Sequence, residues 1–185
     1  MPPGKIILLH GPSSSGKSTL ARALQSTIDA PFWHYSIDHI KDAGVLPSAR
    51  IQSGEFNWSS LRPAFLSAFA HSVGVIMAEG NNLILEHILD QHVDVPQLRQ
   101  TLVDQDLFFV GLHCPLDVLQ AREIARGDRF KGSAAVDFQT VHAGMTYDFI
   151  VDSTAPAAQS ANQLIAAWHK RSGRSAFFDH PDKIP

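Results

Sequence analysis

At 185 residues, 44% hydrophobic and 18% charged, the chain has the size of one ordinary domain and the means to bury a core. A formal net charge of −3 argues against a general nucleic-acid binder, which would carry a basic stripe. The one cysteine, Cys114, excludes an internal disulfide, and its setting in LFFVGLHC reads as a buried small hydrophobe rather than a reactive thiol.

The elements follow in order. The opening MPPGKIILLHG has too short an apolar run for a secretory signal. Its KIILLH (5–10) has the length and flanks of a buried parallel strand. A helix is predicted over 16–28, with Leu20, Ala23, Leu24 and Ile28 on one face. FWHYSI (32–37) is a second strand, ending at Asp38. Residues 39–58 are the least regular stretch, a short helix followed by loops.

A long helix over 59–80 is capped by Ser59 and buries Leu61, Phe65, Phe69, Val73 and Ile76. The longest apolar region, 61–78, is broken by Arg62 and His71, and reads as a core helix rather than a membrane span. Strands follow at 82–88, 107–114 and 147–153, with helices at 95–105, 115–127 and 155–170. Residues 128–144 form a loop and a short helix, and an irregular tail from 171 docks through Phe177 and Phe178. Strands alternating with helices imply an α/β fold, an open parallel sheet covered on both faces. The expectation is a single domain over 1–185, with an insertion at about 39–58, a lid at about 126–140 and a tail at 171–185.

GPSSSGKST, directly after the first strand, meets the pattern G-x-x-x-x-G-K-S with Gly11, Gly16, Lys17 and Ser18. Glycine lets the backbone turn its N–H groups inward, and the following helix presents its positive end to phosphates. Lys17 reaches the β- and γ-phosphates, and the Ser18 hydroxyl ligates Mg²⁺. Nucleotide contacts are expected along Gly11, Ser13, Ser14, Ser15, Gly16, Lys17, Ser18 and Thr19. The D-x-x-G and N-K-x-D strings of a regulatory GTPase do not occur, and the chain is short for a motor or pump core. A short P-loop chain with an arginine-rich stretch late in the sequence points, by analogy of fold, towards a small-molecule or nucleotide kinase.

Asp38 stands at the carboxyl end of the second strand, on the rim where open α/β sheets bind ligands. It is the candidate base that orients an acceptor hydroxyl, or else a helix cap for HIKDA. Glu86 ends the third strand and is a candidate ligand of Mg²⁺ or of one of its waters, or else part of a structural ion pair. His87 alternates to the other face, packed or facing substrate.

In AREIARGDR, Arg122, Arg126 and Arg129 fall near one helix face. Arg126 and Arg129 are candidates for neutralising charge on a transferring phosphoryl group, with Arg122 beside the nucleotide. The alternative is a solvated basic face balanced by Glu123 and Asp128. The histidines show no zinc-ligand spacing, and His142 alone stands apart from the expected structural set. Trp33 and Trp58 flank the irregular stretch as packing residues or as an aromatic wall for an organic acceptor.

IILLHGPSSSGKST, SIDHI, VGLHCPLDVLQAREIARGDR and VHAGMTYDFIVDST together resemble the chloramphenicol phosphotransferase family of P-loop kinases, from about residue 5 to 154. The resemblance implies a sheet of order 2-3-1-4-5 and ATP-dependent phosphorylation of an alcohol. Chloramphenicol's primary hydroxyl is the acceptor of the type member. It also implies Asp38 as base and the arginines of ARGDR as a lid over the phosphates. The chain departs from the family at the third strand, where two consecutive acids are expected and Glu86 and His87 stand.

The expectation is thus a cytoplasmic kinase using ATP and Mg²⁺ on a small-molecule alcohol, with antibiotic resistance as one outcome and no nucleic-acid or membrane partner. The rival readings are a zeta-toxin-like sugar-nucleotide kinase, a metabolite kinase, or a nucleotide-binding sensor without a phosphorylated product.

Overall fold

The structure is a computed structural model that describes residues 2–89, 94–127 and 132–179. Its centre is β1 (Lys5–His10), flanked in parallel by β3 (Asn82–His87) and β4 (Asp106–His113). β2 (Phe32–Ser36) and β5 (Phe149–Asp152) form the edges, giving the order β2-β3-β1-β4-β5 expected from the resemblance.

Period-two alternation explains both faces of the sheet. Ile6, Leu8, Leu83, Leu85, Leu107 and Phe109 point to one side, under α4 (Trp58–Ala78) and α5 (Asp94–Leu102). Ile7, Leu9, Ile84, Phe108 and Val110 point to the other, under α1 (Lys17–Thr27) and α8 (Ala157–Lys170). Strands buried on both faces read as continuous apolar runs, which is why they were legible.

α4 differs from its sequence prediction in cap and in face. Asn57, not Ser59, caps it: the Asn57 side-chain oxygen accepts from the Ser59 N–H at 2.9 Å. The buried stripe is Leu66, Phe69, Ala70, Val73 and Met77, while Leu61 is exposed and Phe65 turns to Trp58, ring centroids 5.6 Å apart. Phe69 and Val73 hold the predicted phase, whereas the first turns put Leu61 in solvent. α4 is long and apolar enough to cross a membrane by composition; here its stripe packs on the sheet.

β2 ends at Ser36, whose hydroxyl accepts from the His39 N–H and starts α2 (Ile37–Asp42). α3 (Ser48–Gln52) adds a second short helix to the stretch expected to be mostly loop. α6 (Leu116–Arg126) and α7 (Ser133–Thr140) stand on either side of the predicted lid tip, and residues 128–131 lie outside the described residues. The tail forms a 3₁₀ turn, Ala176–Phe178, that inserts Phe177 against Phe109.

Candidate active site

β1 delivers the phosphate loop to the carboxyl edge of the sheet. Gly11 is required by space: a Cβ there would lie 2.8 Å from the Leu112 carbonyl oxygen. Ser14 (φ 64°) and Gly16 (φ 94°) are both left-handed, a backbone alternation that gathers N–H groups into an anion-binding nest. Ser14 is the only non-glycine residue with positive φ among the described residues. Its Oγ and that of Ser15 are buried without a hydrogen-bond partner, as suits a loop built around an anion. Lys17 opens α1, and its ammonium donates to the Gly11 and Pro12 carbonyls at 2.9 Å each, spanning the loop mouth.

Ser18 Oγ donates to Glu86 Oε1 at 2.9 Å, joining the first turn of α1 to the end of β3. Glu86 Oε2 lies 3.1 Å from His34 Nε2, yet neither atom makes a well-aligned hydrogen bond. Burial acts to raise the Glu86 pKa, but His34, Ser18 and Lys17 outweigh it and hold the carboxyl below its ordinary 4.5. A serine that gives its proton to a carboxylate turns lone pairs outward, and the carboxylate keeps one orphaned oxygen. Those donors fit a hard cation that retains most of its water. Among the described residues there is no cluster of three or more His, Cys, Asp or Glu side chains able to cage a metal alone. A magnesium ion here would be held by Ser18, by Glu86 or its water, and by phosphate oxygens.

Asp38 lies in the first turn of α2, and Ser36 takes the capping role. Its carboxylate sits 3.6 Å from the Lys41 ammonium, an exposed pair of little energetic weight. One cleft of about 1090 Å³ joins Asp38 to the phosphate loop, Glu86, Arg122 and Arg126, and continues past Trp58 and His87.

The arginines divide. Arg122, also on the cleft, reaches the loop from α6: Nη2 donates to the Ser153 carbonyl at 2.8 Å, and Nη1 approaches the Ser15 carbonyl at 3.4 Å and the buried Cys114 sulfur at 3.6 Å. Arg126 is exposed at the end of α6, on the cleft wall. Arg129 lies outside the described residues. Glu123, three residues before Arg126, faces α7. Its carboxylate accepts from Gly132 N, Ser133 Oγ and Ala134 N at 2.8–2.9 Å and so caps α7, and these bonds lower its pKa.

Several polar contacts escaped sequence reasoning. The Asp137 carboxylate of α7 accepts from the Ser13 N–H at 2.8 Å. His87 pairs with Asp94 at 3.3 Å, both buried on the cleft floor. His10, fully buried, has Nδ1 at 3.3 Å from both the Leu89 N–H and the His87 carbonyl, and Nε2 at 2.9 Å from the Val141 carbonyl. His142 stacks on His113 at 4.0 Å and bonds the Tyr147 hydroxyl at 2.6 Å. The Asp137 and His10 contacts join residues distant in sequence, and no local motif marks such a pair.

A parallel sheet of this order, with a phosphate loop after the central strand and an acid at the end of its neighbour, defines a P-loop kinase. The chain belongs to the chloramphenicol phosphotransferase-like family, whose model matches residues 4–169. It is 30% identical to a Mycobacterium tuberculosis protein provisionally described as an O-phosphotransferase, over 89% of this chain and 82% of that one. The fold is similar to the M. tuberculosis APS kinase solved with AMPPNP and APS, at TM-score 0.67 and 17% identity, covering 91% of this chain and 99% of that one. It is also similar to Acinetobacter baumannii shikimate kinase solved with shikimate, at TM-score 0.61 and 14% identity, covering 90% and 94%. At these identities the two structures speak to the fold.

Proposed function

We propose that this phosphotransferase moves the γ-phosphate of ATP to a hydroxyl of a small organic molecule, in the cytoplasm. The observation that carries the reading is the single cleft in which Asp38, Lys17, Glu86 and Arg126 meet, large enough for a nucleotide and an acceptor together. Bound Mg²⁺ would supply charge neutralisation on the phosphates, held through Ser18 and Glu86. The N–H groups of Ser14 and of Gly16 to Thr19 bind and orient the phosphates, and Lys17 follows the charge that develops on the transferring group. Arg126, with Arg129 from the lid, adds the second cationic arm, while Arg122 braces the loop from α6.

Asp38 orients the acceptor hydroxyl and takes its proton as the O–P bond forms. Trp58 and Leu66 on the cleft wall offer apolar surface to an organic body, which suits chloramphenicol or another antibiotic alcohol. The test is incubation with ATP, Mg²⁺ and a panel of antibiotics, sugars and metabolite alcohols, read by mass spectrometry. A phosphorylated alcohol supports the reading. Nucleotide binding with no phosphorylated product across the panel favours a sensor.

A further inference from the structure

We infer that Asp137 is a positioning residue for the phosphate loop, through which α7 sets the loop's shape. This deepens the proposed function and rests on ATP binding at that loop. Three observations converge on it. Asp137 takes the Ser13 N–H at 2.8 Å, so this amide points to α7 and is spoken for by the protein itself. The next residue, Ser14, is held left-handed, a conformation that sterics disfavour for a residue with a Cβ and that reverts unless its neighbours fix it. The Ser15 N–H closes the same turn on the Pro12 carbonyl at 3.2 Å. Holding Ser13 on one side of Ser14 and the Pro12–Ser15 turn around it makes the nest before any phosphate arrives.

α7 is itself anchored at both ends. Glu123 of α6 binds its first turn through three donors, and the Val141 carbonyl just past its end accepts from His10 of β1. Asp137 therefore stands at a fixed place relative to the sheet, on a helix joined to the arginine-bearing α6. A carboxylate beside a phosphate site repels its ligand, so its presence there needs a compensating role. A charge-assisted bond to a backbone amide is such a role, because a preformed loop loses less freedom on binding.

The experiment measures the affinity of the full chain for a fluorescent ATP analogue with Mg²⁺, alongside the thermal midpoint, for the native sequence, Asp137→Ala and Asp137→Asn. Asp137→Ala is expected to weaken nucleotide affinity about tenfold, the worth of one bond to a charged group. Asp137→Asn keeps an oxygen to accept from Ser13 and loses the repulsive charge, so its affinity should stay within about threefold of the native value. Equal affinity in Asp137→Ala and the native chain, or Asn as weak as Ala, overturns the inference while leaving ATP binding intact. A native chain that fails to bind the analogue removes the functional reading, and this inference with it.

Discussion

The Ser18 hydroxyl and the Glu86 carboxylate, 68 residues apart in sequence, meet at 2.9 Å where α1 begins and β3 ends. The contact fixes the serine rotamer and leaves Glu86 Oε2 without a hydrogen bond. Replacing Glu86 by Gln should raise the magnesium concentration needed for half-maximal transfer about 10–100-fold, as loss of a supporting ligand does elsewhere. Nucleotide binding without metal should change little. Titration of transfer against Mg²⁺ checks both, and an unchanged metal dependence would remove Glu86 from the metal site.

Lys17→Ala should cut transfer by about 10²–10³, the cost of one charge-stabilising donor in a site shielded from water. Steady-state turnover checks it, and native turnover would mean that the chemistry occurs elsewhere. The loss should also loosen the loop mouth, because the ammonium joins the Gly11 and Pro12 carbonyls.

Two histidines predict sensitivity to acid. Burial pushes His10 down to about 3 and His142 down to about 4, from an ordinary 6.5. Between those values and 6.5 the unfolded chain binds protons that the folded chain refuses, so stability rises with pH and falls as pH drops below 6.5. His10 alone contributes at most ~1.4 kcal/mol per pH unit in that window. Denaturant unfolding from pH 7 to 4 should therefore show falling stability. His142→Asn, which keeps a partner for the Tyr147 hydroxyl, should flatten the slope, and a slope parallel to the native one would contradict this account.

Phe177 is 1% exposed and meets Phe109 edge-on at 5.1 Å between centroids. Arg99 Nε also donates to its carbonyl at 2.8 Å. Phe177→Ala should cost about 3–5 kcal/mol, and denaturant unfolding measures it. A loss below about 1 kcal/mol would mean that the tail contributes little to the fold.

The strands and the phosphate loop were legible because each is a local pattern: a continuous apolar run, then glycines at fixed spacing. That Glu86 and Asp38 line the cleft was legible in position alone, because strand ends lead to the ligand rim. The face of α4 was legible only in part, since Leu61 has the right spacing but stands in solvent. Asp38 was placed at a strand end, yet it sits in a helix that Ser36 caps, because a serine in extended backbone competes well for that role. The three donors of α7 to Glu123 left no local signal, because they come from residues nine to eleven positions further on. Asp137 carried no signal, for its partner is a backbone amide 124 residues away.

The proposed role of Asp38 is to activate an acceptor hydroxyl beside phosphates held by the Lys17 loop. Its most direct test compares the native chain with Asp38→Asn for phosphoryl transfer to an acceptor, found by mass spectrometry, and for ATP affinity by calorimetry. The account predicts transfer reduced about 10²–10⁴-fold with ATP affinity nearly unchanged. Transfer preserved in Asp38→Asn, with or without a loss of ATP affinity, would contradict it.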